Sequence, residues 1–328
     1  MPKKTLTRIK LKEKQHALTG YKYSDTDSDI SKHGKLAEYW SKKGFKDFYK
    51  DVRKPYLKLK ENFFSTEPFD TLINFYQWKG IEFGKWTTNE DRYNYLLALI
   101  LASHDLNITL GFKNNIGLFQ TLSVAFGARG QGKALAHFEP NTFAINLTRY
   151  HRADKARGTK EQRFFGTGGI GSLAHEYGHA LDYFFGQYVS KSVSLSGGDR
   201  TYTHFTKEQL TKGDKLVQGM NRVINACIWD KKKKGWSDYY KNLKLQFEGK
   251  EYWFRHNEIW ARLFEQYVGY CLKKKHIDNF FLAKLKYEAK QYLPAHDFKR
   301  VYPLIRQLLS DMAKTAGGKF NVKGYSKD

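Results

Sequence analysis

His175-Glu176-Tyr177-Gly178-His179 sets two imidazoles four residues apart, with a glutamate directly after the first. On a helix that spacing puts both rings side by side, close enough to bind one zinc ion. The glutamate then reaches the metal's water as a general base. At about 100° per residue, with His175 at zero, His179 falls at about 40°, Glu176 at about 100° and Asp182 at about −20°. Ile170, Leu173, Tyr177, Ala180, Leu181 and Phe184 gather on the opposite side. The pattern predicts a helix over 169–185 with one apolar face and one ligand face, closed by Gly186. Its chemistry is that of a zinc hydrolase: Zn2+ as cofactor, His175 and His179 as ligands, Glu176 as base.

A catalytic zinc needs a third protein donor and one open position. Asn257-Glu258-Ile259-Trp260-Ala261-Arg262-Leu263-Phe264-Glu265-Gln266-Tyr267-Val268 is the best source. As a helix it sets Glu258, Arg262 and Glu265 on one face and Trp260, Leu263, Phe264 and Tyr267 on the other. Asp182 competes, because it shares a face with both histidines; it suits equally the task of orienting an imidazole. Glu258, Glu265 and Asp182 therefore all stand as candidates. For stabilising an oxyanion the chain offers only His256, His204 and Tyr202.

Two further patterns bear on phosphate. Gly127-Ala128-Arg129-Gly130-Gln131-Gly132-Lys133-Ala134 approaches a phosphate-binding loop, but alanine stands where Mg2+ needs a hydroxyl. A strand pattern rather than a helix follows it, so the nucleotide reading fails. Lys231, Lys232, Lys233 and Lys234 form a basic run amid Trp229, Trp236, Tyr239 and Tyr240, and Lys273–Lys275 form another. Lysine with interleaved aromatics suits phosphate contact and base stacking. Residues 1–15 add Lys3, Lys4, Arg8, Lys10, Lys12 and Lys14 against Glu13. The chain carries 57 Lys and Arg against 33 Asp and Glu, a formal charge of +24. That excess points to nucleic acid as a partner and away from a secreted hydrolase of acidic substrates.

These groups need elements to hold them. The 328 residues are 41% hydrophobic and 16% aromatic, enough for a packed core and too much for a disordered chain. Helical spacing runs over 35–50, 89–104, 254–272 and 300–314, and the tail from Gly317 reads as frayed. Over 134–147 the period becomes two: Ala134–Glu139 and Phe143–Leu147 flank Pro140-Asn141-Thr142, a β-hairpin. The class is α+β, mostly helical, with a small antiparallel sheet or hairpin before the HExxH helix. Two cysteines, Cys227 and Cys271, make neither a disulfide framework nor a four-cysteine zinc site, so a reducing compartment is expected. Met1-Pro2-Lys3-Lys4 opens no signal peptide, and the longest apolar run, Tyr95–Ser103, is far too short to span a membrane.

Six segments occur in order: 80–86 (GIEFGKW), 89–92 (NEDR), 125–140 (AFGARGQGKALAHFEP), 145–149 (INLTR), 171–182 (GSLAHEYGHALD) and 257–268 (NEIWARLFEQYV). Together they resemble the first of the large polyvalent protein-associated domains, found in proteins of phages and conjugative elements. The resemblance spans about 80–270. It implies a protein that reaches a new host with the element's DNA, or acts soon after, in the cytoplasm of the bacterial host or carried in a virion. The expected organisation is a basic arm and helical region over 1–79, that domain over 80–270 with an insertion at about 187–256, and a helical C-terminal region over 271–328. The chain is also similar to zincins that cleave repressors of mobile elements, with a hairpin before the HExxH helix and a downstream Glu-x-x-Ala-x-x-Phe, here Glu258, Ala261 and Phe264. That likeness implies His175, His179 and Glu258 as the metal set and Glu176 as base, although 187–256 separates the two halves. The combined expectation is a zincin-like metallopeptidase acting on a host or element protein, with a basic nucleic-acid surface. Its rival is a nucleic-acid binder whose zinc site is structural or idle.

Overall fold

The computed structural model describes residues 48–55, 68–84, 87, 89–128, 135–148 and 169–318. The basic groups Lys3, Lys4, Arg8, Lys10, Lys12 and Lys14, most of the helix expected over 35–50, residues 129–134 of the glycine-rich loop and the end of the tail lie outside them. Among the described residues, eight strands run in chain order: β1 (Arg53–Lys54), β2 (Ile81–Phe83), β3 (Ser123–Phe126), β4 (Ala136–Glu139), β5 (Ala144–Leu147), β6 (Trp229–Asp230), β7 (Gly235–Trp236) and β8 (Asp278–Asn279). The principal helices are α1 (Asn89–Leu110), α2 (Leu173–Phe185), α3 (Lys207–Thr211), α4 (Lys215–Ile228), α5 (Asp238–Phe247), α6 (His256–Lys274) and α7 (Ala295–Gly318). The molecule is α+β and mostly helical. No helix among the described residues is long and apolar enough to cross a membrane.

The central sheet has the order β2-β3-β5-β4. The expected hairpin is present, β4 pairing antiparallel with β5 through Phe138↔Ile145. The sheet as a whole is mixed rather than antiparallel, because β2 and β3 run parallel, as do β3 and β5. For β2 and β3 the reason is connectivity: α1 carries the chain between them, and a helical crossover returns the next strand in the same direction. β3 and β5 are buried along their whole length, and Ser-Val-Ala-Phe and Ala-Ile-Asn-Leu read accordingly as short apolar runs. β4 is half-buried throughout and forms the edge.

The apolar run Tyr95–Ala102 is buried on every side inside α1, which explains a hydrophobic stretch too short for a membrane. Trp78 donates from Nε1 to Ser103 Oγ (3.0 Å). Further along α1, Asp105 holds Arg53 at 2.9 Å and accepts from Asn279 Nδ2 at 2.8 Å. It thereby ties the β1–β8 pair to the core. α2 packs against α6 and on β4 and β5, and α4 packs along α7.

Gly186 is the C-cap of α2, as expected, but without the left-handed turn of a glycine stop. Its φ of −60° is right-handed, and a π-turn over Gly186–Ser190 carries the helix on until Lys191 takes a left-handed φ of 55°. The glycine is needed for space, since a Cβ there would lie 2.4 Å from Ser194 Cα.

Candidate metal centre

α2 is anchored by its apolar side. Leu173, Tyr177, Ala180, Leu181 and Phe184 are fully buried. Tyr177 donates its hydroxyl to the Ile116 carbonyl (2.8 Å) and stacks on Phe264 of α6. The free amides at the start of the helix are taken by a neighbouring turn, with Ala174 N donating to Leu282 O (2.8 Å) and Gly171 N to Phe281 O (3.1 Å). Inside the motif, Gly178 lets α6 approach: a Cβ there would sit 3.2 Å from Ala261 Cα and from Phe264 Cβ. Trp260 Nε1 then donates to the Gly178 carbonyl at 2.8 Å. The x positions of HExxH thus seat the second helix.

Both faces of α2 are covered. Glu176 and His179 are buried and His175 is nearly so, because α6 lies over the ligand face. The Glu258–Arg262–Glu265 face of α6 is likewise buried against α2, and opposite charges compensate there. His179 Nε2 lies 3.3 Å from Glu258 Oε1, and His175 Nε2 lies 3.5 Å from Glu258 Oε2. The imidazole rings are 5.1 Å apart. One ligand atom each from His175, His179 and Glu258 all fall within 4.8 Å of one another, so the trio could hold a metal ion. The buried Glu258 Oε2 has no hydrogen-bond donor, an orphan lone pair aimed into the cluster.

Glu265 takes another place. Its Oε2 stands 3.6 Å from His175 Nδ1, the ring nitrogen that faces away from Glu258, and accepts from the Tyr292 hydroxyl at 2.8 Å. Lys284 Nζ lies 3.9 Å from its other oxygen. A carboxylate on the far nitrogen orients a ligating imidazole. Burial would lower the His175 pKa, yet the carboxylates of Glu258, Glu265 and Glu176 outweigh it and raise the ring to about 10 in the metal-free protein. Burial would raise Glu258, but both histidines hold it far below the carboxylate range.

Arg262 and Tyr252 complete the surroundings. Arg262 sits one turn after Glu258, 3.6 Å from Oε2, and donates to the Trp253 carbonyl (2.6 Å) while stacking on that indole. Desolvation and the charge of Glu258 push the Tyr252 phenol above its ordinary range. The i,i+4 spacing of Glu258 and Arg262 was visible in the sequence; nothing there singled out Tyr252, which precedes α6 in a short 3-10 turn.

Asp182 is engaged by a neighbouring loop, with His179 of the trio close enough to act on its charge. It accepts from Ser196 N (2.8 Å) and Ser196 Oγ (2.5 Å), and burial outweighs these bonds to raise its pKa to about 6. The loop it holds supplies the Arg200 and Gly198 carbonyls to the His256 and Asn257 amides at the start of α6. His256 is fully buried, bonded to the Tyr202 carbonyl (2.8 Å) and stacked on Phe205. His204 is exposed. None of His256, His204 and Tyr202 touches the trio among the described contacts. Lys231, Lys232, Lys233 and Lys234 are exposed at the β6–β7 turn, with Lys233 paired to Asp238 (2.7 Å).

Comparison of the chain with protein families bears on its second half. Residues 245–316 match the family model of large polyvalent protein-associated domain 1. The matched segment carries α6 and α7, and with them Glu258, Arg262, Glu265 and Tyr292. It starts well beyond the HExxH helix, and of the stretch expected from the motifs it shares only the end. No curated protein and no solved structure matches the chain.

Proposed function

We propose that this chain is a zincin-type zinc metallopeptidase of a phage or mobile element, acting on a host or element protein in the host cytoplasm. The observation that carries the reading is the convergence of His175, His179 and Glu258 on one point, with Glu176 on the same helix. Donors bonded at about 2.0–2.1 Å to a tetrahedral zinc stand about 3.3–3.4 Å apart. Glu258 Oε1 stands 3.3 Å from His179 Nε2, which fits that edge. The other oxygen, Oε2, stands 3.5 Å from His175 Nε2, so the carboxylate meets each imidazole with a different oxygen. Two imidazoles and a carboxylate are the donor set of a catalytic rather than a structural zinc.

Bound there, zinc would supply Lewis acidity, acidifying a water and polarising the peptide carbonyl. Glu176 accepts the proton of the attacking water and passes it to the departing amine. Glu265 holds His175 in one tautomer and Arg262 keeps Glu258 aligned. β4, an edge strand packed beside α2, offers its outer backbone groups to an extended polypeptide, which would join the sheet as another strand.

The exposed Lys231–Lys234 turn, flanked by Trp229 and Trp236, supports a second role in associating with nucleic acid without sequence preference. The rival is a binder with an idle metal site. Glu176→Gln separates the two, since it keeps the ligands and removes the base. Zinc content measured beside mapping of new protein N-termini in cells expressing each form should show about one zinc per chain in both. Cleavage should occur only with the native glutamate. Identical N-termini from the two forms would sink the peptidase reading.

A further inference from the structure

An opening lies beyond the metal centre, along the C-terminal half of α6. It is a groove of about 950 Å³ between the end of α6, the turn over 277–294 and the start of α7. Its walls carry four lysines, Lys273, Lys284, Lys286 and Lys299, against a single acid, Asp278. Lys273, Lys286 and Lys299 are exposed and have no ion pair among the described residues. Three such cations around one concavity repel each other, and a polyanion relieves that repulsion.

The remaining walls are mainly apolar, and four aromatic rings, Tyr270, Tyr287, Phe298 and Tyr302, stand among their aliphatic side chains. Tyr270, Tyr287 and Tyr302 are only half-buried where they line the groove. Tyr270 and Tyr302 meet edge-on at 5.2 Å, and Lys274 lies over the Tyr270 ring. Tyr287 is fixed from behind, its hydroxyl donating to the Glu265 carbonyl at 3.1 Å. Gly269 makes that approach possible, because a Cβ at 269 would meet the Tyr287 oxygen at 2.4 Å. Rigid tyrosine faces framed by unpaired ammonium groups are the elements that bind single strands, the rings stacking on bases and the lysines taking phosphates. A duplex hides its base faces and would leave the tyrosines unused.

We propose that this groove binds a nucleotide unit presented by single-stranded nucleic acid, separately from the Lys231–Lys234 surface and independently of peptidase activity. The test uses the full zinc-loaded chain with a fluorescent 12-nucleotide single strand, the matching duplex, AMP and inorganic phosphate. Anisotropy is followed across a salt series, and a photoactivatable thymidine analogue in the strand maps its contacts. The expected result is crosslinking to Tyr270, Tyr287 or Tyr302. Lys273→Ala/Lys286→Ala/Lys299→Ala, three exposed positions outside the metal centre, should weaken strand binding at least tenfold and flatten the salt slope by about 2. Lys231–Lys234→Ala should leave the tyrosine crosslinks in place. AMP competing for the same crosslinks identifies a free nucleotide as sufficient; competition by the strand alone assigns the groove to polymer. Both support the proposal. Crosslinks confined to other regions, unchanged binding by the triple variant, or a duplex bound as tightly through the same lysines would overturn it. Phosphate competing as well as AMP would do so too.

Discussion

At the scale of single residues, the centre divides its acids by geometry. Glu258 faces both imidazoles, Glu265 faces only the back of His175, and Asp182 faces a loop. Zinc affinity by chelator competition should therefore fall most for His175→Ala, His179→Ala and Glu258→Ala. Glu265→Gln should cost about 10- to 100-fold, the usual effect of losing a carboxylate behind a ligating histidine. Asp182→Asn should retain zinc. A silent Glu258→Ala would remove it from the ligand set. The elevated His175 pKa adds a proton count. Since ligation needs a neutral imidazole, zinc uptake at pH 7–8 should release about one proton from that ring. Calorimetry in buffers of differing ionisation enthalpy reads this directly, and buffer-independent heat would contradict it.

At the scale of elements, the metal trio exists because α2 and α6 touch at Gly178. The close contact with Ala261 and Phe264 and the Trp260 bond fix the register that brings Glu258 level with the histidines. Gly178→Val forces extra methyl groups into that junction and should cost about 1–3 kcal/mol, with a parallel loss of zinc affinity. Denaturant unfolding beside metal titration checks both. Asp182 governs the loop that caps α6, and its raised pKa has a definite sign. Between about pH 3.8 and 6 the native state holds a proton that the unfolded chain has released, so this group's contribution is complete below 3.8 and lost as pH rises through 6. The stability difference between native protein and Asp182→Asn should therefore shift against the native form across that window; a flat difference would show that the carboxyl titrates normally. The hairpin and the helix bearing HExxH were legible from period and motif. The burial of the ligand face was not, because an amphipathic pattern cannot distinguish solvent from a second polar helix face with compensating charge.

At the scale of the whole molecule, a metal ion held by His175, His179 and Glu258 would couple binding to folding. An ion bound only by the native state adds about 4 kcal/mol at a thousandfold excess over Kd. Chelation should accordingly lower the unfolding temperature, and zinc should restore it in a concentration-dependent way. Equal melting curves with and without chelator would show that the trio binds nothing. If the charge of +24 serves a polyanionic partner, it acts at this scale as well, through salt-dependent association that would belong to no single lysine.

By itself the sequence determined what is local. HExxH set two imidazoles on one helical face, the apolar stripe of 257–268 marked a second packed helix, and period-two alternation marked the hairpin. Each follows from backbone geometry and a few neighbouring residues. Tertiary structure decided what depends on distant segments meeting: Glu258 in the metal trio with Glu265 behind His175, Asp182 on the Ser196 loop, parallel pairing in the sheet, and the close approach of Ser194 that makes Gly186 a spacer as well as a cap. Those outcomes turn on contacts such as Ala261 against Gly178 and Ser194 against Gly186. Residues far apart along the chain meet there, and helical or strand periodicity carries no information about which of them will touch.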